Sequence, residues 1–410
     1  MQWVEKTLGD LGEIIGGATP STKNNDYYGG NISWITPKDL SSFKGRYISR
    51  GERNITEKGL ASCSPRIMPP KTVLFTSRAP IGYTAIAAQC VCTNQGFKSI
   101  VPYENVDSLF IYYLLNYNKE RIKSMGSGTT FKEISGKTMQ MIKVQIPRNI
   151  EDQKRIASIL DSIDTKIEMN GKINDNLAEQ IKTICTAWLS DYVPFGGVLP
   201  DDWSKTSLSS IADFVSGYSY KGAELTESNI AMATIKSFDR KGGFKLDGYK
   251  EIVPSSKLKN TQHAELFDTL VAHTDLTQNA EVIGNAEPVM SKSGYSDIIF
   301  SMDLVKVVPK NNHISKFLIS AILQDKKFKA HCLGYVNGTT VLHLSKKALP
   351  EYQLYLPDDL SALKPLDELV TALYQHISSN IEEITKLETL RDTLLPKLMS
   401  GELNVSGIKF

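Results

Sequence analysis

An internal repeat constrains this chain more than any other feature of its sequence. Residues 3–17 recur as residues 203–217, with tryptophan, leucine and glycine at matching places, and residues 128–147 recur as residues 338–357. The residues between these anchors have diverged, and the offset changes from 200 to 210, so the two copies differ by a net ten residues. Because a repeated frame indicates a repeated structural unit, the chain of 410 residues is predicted to contain two copies of one unit.

Each copy ends in a segment with the spacing of a long helix. Apolar residues recur at alternating steps of four and three over residues 156–188, and the same register continues over residues 366–398, with Asn170 matched by Asn380. This spacing is typical of coiled coils, and each helix of roughly 35 residues would be about 50 Å long. We expect the two helices to pack on each other as an antiparallel coiled coil. The predicted interface residues are Ile156, Leu160, Ile163, Ile167, Asn170, Ile384, Leu387 and Leu394.

The segments before the helices, residues 1–147 and 200–357, have the pattern of compact domains. Each alternates short runs rich in β-branched residues, such as residues 71–76 and 269–272, with turns rich in glycine, proline and asparagine. We therefore predict an α/β fold in which two strand-rich domains alternate with the two long helices. The predicted boundaries are 1–147 for the first domain, 148–192 for the first helix, 193–357 for the second domain, and 358–410 for the second helix and tail.

Several loops of both domains carry the residue types that phosphates and base edges require. Small residues allow close approach, hydroxyl and amide groups form hydrogen bonds, and lysine or arginine supplies charge. The formal net charge is only +2, so a surface that faces phosphates must be local and balanced elsewhere. In the first domain the candidate DNA-binding residues are Thr19, Ser21, Lys23, Thr36, Lys38, Ser77, Arg78, Gln95, Thr129, Thr130 and Lys132. In the second they are Tyr218, Tyr220, Lys221, Lys236, Arg240, His273, Thr274, Thr339 and Thr340.

The sequence lacks the signatures of catalysis and of cofactor binding. A DNA methyltransferase needs a glycine-rich cofactor loop and an Asn/Asp-Pro-Pro-aromatic corner, and the nearest match, residues 68–71, lacks both the amide and the aromatic ring. No GxxxxGK[ST] phosphate loop occurs. The histidines and the five cysteines have no metal-ligand spacing, and no CxxC pair is present. We therefore expect a non-catalytic protein with no cofactor, no metal and reduced thiols.

Hydropathy and composition give an expectation about location. The first residues, MQWVEKTLGDLGEII, contain no basic stretch followed by an apolar run, and no segment reaches the roughly 18 apolar residues needed to span a bilayer. The apolar fraction of 41% and the charged fraction of 22% are typical of soluble globular proteins. We expect a cytoplasmic protein without a membrane partner.

A set of short motifs is shared with a known family. The motifs are Gly16-Gly-Ala-Thr-Pro20, Trp34-Ile-Thr-Pro37, Arg78-Ala-Pro-Ile-Gly82, Asn94-Gln-Gly-Phe97, Gly128-Thr-Thr-Phe131 and Gln153-Lys-Arg-Ile-Ala157, together with the closing helix over residues 387–403. On these residues the chain resembles, over nearly its whole length, the specificity subunits of type I restriction–modification systems.

The resemblance implies a function for both kinds of segment. Residues 1–147 and 200–357 would be target-recognition domains, each reading one half of a bipartite site in double-stranded DNA. The helices would set the spacing of the half-sites and dock two modification (methyltransferase) subunits, with restriction subunits, the ATP-dependent translocase and nuclease, joining the larger complex. The residues leave one alternative open, a stand-alone DNA-binding adaptor that homodimerises through the helices.

Overall fold

The protein is described from a computed structural model that covers residues 1–128, 132–277, 279–310 and 312–407. The chain divides into two compact units, one formed by residues 1–168 with 386–410 and the other by residues 169–385. Each unit therefore contains the globular part of one repeat and a portion of each long helix. The four-segment boundaries drawn from the sequence give each helix a segment of its own, and they remain a prediction.

The first unit combines short strands with short helices and the beginning of a long one. Its strands are β1 (Trp3–Thr7), β2 (Gly12–Gly16), β3 (Tyr28–Ile32), β4 (Trp34–Ile35), β5 (Tyr47–Ile48), β6 (Val73–Phe75), β7 (Thr84–Ala87), β8 (Cys92–Thr93), β9 (Lys98–Pro102) and β10 (Lys143–Pro147). Its helices are α1 (Leu8–Leu11), α2 (Pro37–Ser41), α3 (Glu57–Cys63), α4 (Ser108–Tyr117), α5 (Lys119–Ser124), α6 (Gly136–Met141) and the start of α7 (Ile150–Leu189), with a 3₁₀ turn at Asn25–Tyr27.

A five-stranded sheet of order β2-β9-β6-β7-β5 organises the first unit. Its strands contribute buried residues such as Phe75, which pack against Phe110 of α4. Ile156 and Leu160 of α7 are fully buried in the same cluster. The apolar face of the long helix therefore completes the core of the first unit, in addition to forming a seam with the second helix.

The second unit repeats this plan with additional strands. Its strands are β11 (Trp203–Ser207), β12 (Ala212–Ser216), β13 (Ile230–Ala233), β14 (Lys250–Glu251), β15 (Thr269–Ala272), β16 (Thr274–Asp275), β17 (Ala286–Pro288), β18 (Asp297–Phe300), β19 (Leu304–Pro309), β20 (Val336–Asn337), β21 (Leu342–Leu344) and β22 (Gln353–Pro357). Its helices are the end of α7, α8 (Leu208–Ile211), α9 (Lys316–Leu323), α10 (Lys326–Leu333), α11 (Ala348–Glu351) and most of α12 (Lys364–Met399). Single 3₁₀ turns lie at Val193–Phe195, Gly222–Glu224, Ile235–Ser237, Leu246–Gly248, Asn260–Gln262 and Leu360–Leu363.

The repeat predicted from the sequence is confirmed at the level of strand pairing. β1 pairs antiparallel with β10 so that Trp3 lies opposite Pro147, and β11 pairs with β22 so that Trp203 lies opposite Pro357. The order β2-β9-β6-β7 of the first sheet matches the order β12-β19-β15-β17 of the second. The parallel pair β4-β8 of the first unit has its counterpart in the parallel pair β13-β18 of the second, to which β14 adds a third strand. The common frame therefore carries different insertions, as the drift between the anchors predicts.

The two long helices are confirmed, and they run antiparallel. The Nδ2 of Asn170 donates to Glu383 at 2.7 Å, and the Nδ2 of Asn380 donates to the side-chain oxygen of Asn174 at 2.8 Å. Residue numbers rise along α7 as they fall along α12, which defines the antiparallel direction. Polar side chains bond across the seam at both asparagine positions, so the seam has a defined register.

The predicted seam residues differ in how deeply they are buried. Ile156, Leu160, Ile163 and Asn170 are buried, whereas Ile167, Ile384, Leu387 and Leu394 are half-buried. At the seam position that holds Ile181 in the first helix, the second helix has Arg391, whose guanidinium lies 3.0 Å from the carboxylate of Asp164. An ion pair thus takes the place of an apolar contact within the first unit.

Each long helix is also tied to the cap of a shorter helix, although different residues make the tie. The backbone N–H of Asp107, the N-cap of α4, donates to the side-chain oxygen of Gln153 in α7 at 3.0 Å. The backbone N–H of Ser315, the N-cap of α9, donates to Asp367 in α12 at 2.9 Å. The second helix lacks the glutamine motif of the first, and a carboxylate one turn further along makes the equivalent contact.

Candidate DNA interface

The loop that follows β2 packs against the chain that follows β8 without any intervening side chain. A Cβ on Gly17 would lie 2.1 Å from the carbonyl oxygens of both Thr93 and Asn94. The N–H of Ala18 donates to the carbonyl of Thr93 at 2.9 Å, and the indole N–H of Trp34 donates to the carbonyl of Ala18 at 3.0 Å. The glycine-rich loop is therefore fixed in place by backbone contacts that only glycine permits.

The remaining candidate loops of the first unit lie beside this one. The side-chain hydroxyl of Thr19 donates to Gln95. The carbonyl of Gly96 accepts from the backbone N–H of Ser77 at 2.7 Å, and the carbonyl of Ser77 accepts from the N–H of Ile134 at 3.0 Å. These contacts join the loops at residues 16–23, 76–78, 94–97 and 132–134 into one cluster, which we call the first loop cluster.

The candidate side chains of the first loop cluster have different environments. Ser21, Lys23, Gln95 and Lys132 are exposed, and Thr19 and Arg78 are half-buried. Two further candidates of the first unit lie outside the cluster, and of these Lys38 is exposed and Thr36 is half-buried. Thr36 caps α2, and Lys38 pairs with Glu52 at 2.7 Å. Thr129 and Thr130 lie outside the described residues. Ser77 is fully buried, and its hydroxyl donates to Gly96, so it supports the loop and presents no group to a ligand.

Glu133 balances positive charge within the first loop cluster. The guanidinium of Arg78 lies 3.4 Å from one of its carboxylate oxygens, and the ammonium of Lys98 lies 3.6 Å from the other. Lys98 was not predicted as a candidate, because it stands in a strand and nothing in the local sequence shows that its end reaches the loops. The charge that could face phosphates comes from Arg78, Lys98, Lys132 and Lys23, with one carboxylate among them.

The second unit builds its loop cluster on the equivalent glycine. A Cβ on Gly217 would lie 2.0 Å from the carbonyl oxygen of Ser301. The N–H of Tyr218 donates to the carbonyl of Phe300 at 2.7 Å, and the N–H of His273 donates to the carbonyl of Asp303 at 2.8 Å. β16 and β20 both pair with β21, which brings the loops at residues 273–277 and 337–340 together. We call the loops at 216–221, 236–243, 273–277 and 337–340 the second loop cluster.

The loop at residues 236–243 is held at β17 and at the residue before it through polar contacts. Asn285 donates its side-chain amide to the carbonyl of Asp239 at 3.1 Å, and Glu287 accepts from the N–H of Gly243 at 2.7 Å. Burial raises the pKa of Glu287 to about 7, and the hydrogen bond from Gly243 opposes this shift. Arg240 of the same loop pairs with Glu281 at 3.1 Å.

Two of the predicted DNA-binding residues in the second loop cluster are buried inside the unit. Lys221, Lys236, Arg240, Thr339 and Thr340 are exposed, and Tyr220 and His273 are half-buried. Tyr218 is buried, with its hydroxyl 2.7 Å from Glu224, and Thr274 is buried, with its hydroxyl donating to Asp303 at 2.9 Å. Tyr218 and Thr274 thus support the loops, because folding pairs their polar groups inside the unit.

Charge in the second loop cluster is set by local hydrogen bonds and burial. Backbone hydrogen bonding at Lys221 and the hydroxyl of Tyr218 lower the pKa of Glu224 to about 2. Burial lowers the pKa of His273, and the neighbouring His343 and Lys346 lower it further. His273 is therefore neutral at neutral pH, and the positive groups of this cluster are its lysines and Arg240.

The described residues offer neither a metal site nor a membrane span. In the described part of the chain, no group of three or more histidine, cysteine or acidic side chains is placed to hold a metal ion. The same residues include no helix that is long and apolar enough to cross a membrane.

Comparison with known proteins identifies the family. Residues 1–179 match the model of the type I restriction modification DNA specificity domain. The chain is 33% identical to the type I restriction enzyme MjaIX specificity subunit of Methanocaldococcus jannaschii, over 99% of this chain and 94% of that protein. It is 29% identical to the EcoR124I/EcoR124II specificity subunit of Escherichia coli, over 44% of this chain and 45% of that protein.

The fold is also found in a solved structure. The crystal structure of the type I restriction–modification system S subunit from M. genitalium superimposes with a TM-score of 0.58 at 18% identity, covering 97% of this chain and 96% of that one. The structural likeness confirms the predicted architecture of two α/β domains alternating with two long helices. Because a relative 33% identical covers nearly its full length, the chain belongs to the family of type I restriction–modification specificity subunits.

Proposed function

We propose that each unit reads one half of a bipartite site in double-stranded DNA through its loop cluster, and that the chain itself performs no catalysis. The main support for this proposal is that loops distant in sequence meet at equivalent places in both units, beside Gly17 in one and Gly217 in the other. Both clusters present exposed hydroxyl, amide and cationic side chains, the groups that phosphates and base edges bind.

The two clusters would read different half-sites because their exposed side chains differ. The first presents Ser21, Lys23, Gln95 and Lys132, and the second presents Lys221, Lys236 and Arg240 with the threonines of its last loop. A bipartite site with two unrelated halves is therefore expected. The buried Ser77, Tyr218 and Thr274 would affect affinity only through the shape of the loops.

The long helices would set the spacing of the two half-sites and dock two modification subunits, with restriction subunits joining the larger complex. The hydrogen bonds of Asn170 and Asn380 across the seam support this role, because a helix pair with a defined register can act as a rigid spacer. Half-sites read from one side of a duplex are separated by about one turn, roughly 34 Å.

Mapping of methylated bases tests this proposal. The chain is co-expressed with its modification subunit in a host without other methyltransferases, and the genome is sequenced for modified bases. We expect one bipartite motif that is absent when either subunit is omitted. A purified chain that forms a lone dimer and yields no motif with the modification subunit would support the stand-alone adaptor instead.

Lengthening the helix pair tests the spacer role. One heptad is inserted between Asn170 and Asn174 of α7 and another between Asn380 and Glu383 of α12, which preserves the seam spacing and adds about 10 Å. We expect both half-sites to be retained with a changed number of base pairs between them. A seven-residue insertion at the open turn of Gly294, where nothing lies within 4 Å, is the control. An altered half-site with an unchanged spacer would contradict the role.

A further inference from the structure

Arg46 is a buried charge in a largely exposed stretch of the first unit. The residue is 5% exposed, and it directly precedes β5. Its carbonyl accepts from the N–H of Ile86 at 2.7 Å, which ties it to β7 of the central sheet. Burying a guanidinium costs free energy unless it is fully paired. The partners of Arg46 therefore indicate its structural role.

Both ion-pair partners of Arg46 lie on the long helix α7. Its Nε donates to Glu168 at 3.0 Å, and its backbone N–H donates to the same carboxylate at 3.2 Å. Its Nη1 donates to the backbone carbonyl of Asp161 at 2.9 Å and also to the carboxylate of that residue. Its Nη2 donates to the hydroxyl of Thr165 at 2.8 Å. The planar guanidinium therefore bonds in several directions at once.

A second set of contacts extends this network to the other helix within the same unit. The hydroxyl of Tyr113, from α4, donates to Asp164 of α7 at 2.7 Å. The guanidinium of Arg391, from α12, lies 3.0 Å from the other oxygen of Asp164. The first unit thus holds both long helices through charged and polar contacts as well as through its apolar core.

The spacing of these partners determines what the network constrains. Residues 161, 164, 165 and 168 recur at steps of three and four, so they share one face of α7. Asp161 and Glu168 are separated by about 10 Å along the axis. Directional bonds to both ends of this interval fix the rotation and the axial position of the helix, whereas apolar packing alone tolerates small sliding.

The second unit has no charge at the equivalent positions. Adding 210 to the four residue numbers gives Thr371, Tyr374, Gln375 and Ser378. There the hydroxyl of Ser378 donates to the carbonyl of Met290 at 2.7 Å, and that of Tyr374 donates to Gln324 at 2.9 Å. The repeat thus keeps polar contacts on this helix face in both units but uses ion pairs only in the first.

We propose that Arg46 is a positioning residue that fixes the first loop cluster on α7, and that it thereby restricts which spacer lengths the complex accepts. The link is structural: β5, which Arg46 precedes, pairs with β7, and β7 pairs with β6, whose end leads into the loop at residues 76–78. This inference rests on the proposed function, because it assumes that the loop clusters read half-sites.

The test compares variants in the assembled complex with the modification subunit. The substrates are duplexes that keep both mapped half-sites and differ only in the number of base pairs between them. Arg46→Met removes the charge but keeps an unbranched side chain, and Arg66→Met, which removes an exposed arginine paired with Glu13, is the matched control. For Arg46→Met we expect methylation of duplexes one base pair too long or too short to rise about tenfold relative to the cognate duplex, a coupling change of about 1.4 kcal/mol.

The outcomes separate positioning from simple destabilisation. A destabilised domain would lose methylation equally at every spacer length, and that result in a folded variant would overturn the proposal, as would an unchanged spacer profile. If Arg46→Met does not fold, Glu168→Ala gives the same readout, since the Glu168 side chain is 26% exposed and its loss leaves Arg46 paired with Asp161. Arg46→Lys should restore part of the selectivity. Failure of the wild-type complex to give any bipartite motif would instead overturn the proposed function.

Discussion

Asn380 donates its side-chain amide to the side-chain oxygen of Asn174 at 2.8 Å, across the seam of the two long helices. Asn380 is 7% exposed, so its amide has little access to water. In a coiled-coil seam, a polar pair of this kind costs stability compared with leucine but defines one register. The pair therefore accounts for the helix register that the repeat predicts.

The first prediction concerns this pair. Asn380→Leu alone leaves Asn174 without its donor, and we expect it to destabilise the chain by about 1–3 kcal/mol. The double variant Asn174→Leu with Asn380→Leu removes both polar groups and should be neutral or more stable than the wild type. Denaturant titration of both single variants and the double variant measures the coupling. An equal loss of unfolding free energy in the single and double variants would contradict the predicted coupling of the two asparagines.

A second prediction concerns three glycines with opposite environments. Gly17→Ala and Gly217→Ala place a Cβ about 2 Å from backbone carbonyl oxygens, and each should destabilise its unit by about 1–3 kcal/mol. Gly171, inside α7, has open space within 4 Å of the position that a Cβ would take, so Gly171→Ala should stabilise by about 1 kcal/mol. Unfolding free energies from urea titration show whether each variant is less or more stable than the wild type. A stable Gly17→Ala protein would refute the close approach of the two backbone segments.

The third prediction concerns the pH dependence of stability. The pKa of Glu287 is raised to about 7 by burial, from 4.5. The folded state therefore binds the Glu287 proton more tightly than the unfolded state does. The stability contributed by the protonated Glu287 is fully present below pH 4.5 and is lost as the pH rises through 7. At about 1.4 kcal/mol per pKa unit, the loss is about 3 kcal/mol.

The variant Glu287→Gln should abolish this component. Its unfolding free energy relative to the wild type should rise between pH 5 and pH 7 and stay constant at higher pH. Denaturant titrations at a series of pH values, with the exposed Glu265→Gln as control, make the measurement. A difference that does not change with pH would show that Glu287 titrates normally.

The fourth prediction concerns DNA binding by the first loop cluster. Lys132 is exposed beside Arg78 and Glu133, so we expect Lys132→Ala to weaken binding to all sequences and to lower the salt slope of the binding constant by about 1. Lys6→Ala, at an exposed position of β1, is the matched control. Binding is measured with the assembled complex over a range of salt concentrations. Equal slopes for both variants would remove Lys132 from the interface.

The sequence by itself determined the two repeated units and the two long helices, because both are encoded in the spacing of residues along the chain. The matched anchors gave the two units, and steps of three and four residues gave helices now observed over Ile150–Leu189 and Lys364–Met399. Helical periodicity depends on neighbours a few residues apart, so it is legible without tertiary contacts. The family motifs are local in the same sense.

Only the tertiary structure decided which candidate side chains face outward. Ser77, Tyr218 and Thr274 have the composition of ligand-binding loops, yet each is buried and paired. The role of Arg46 has no local signature in the sequence, since its partner Asp161 lies 115 residues away. The burial of a polar group depends on hydrogen bonds to segments that are distant in the sequence, and the spacing of nearby residues does not predict these bonds.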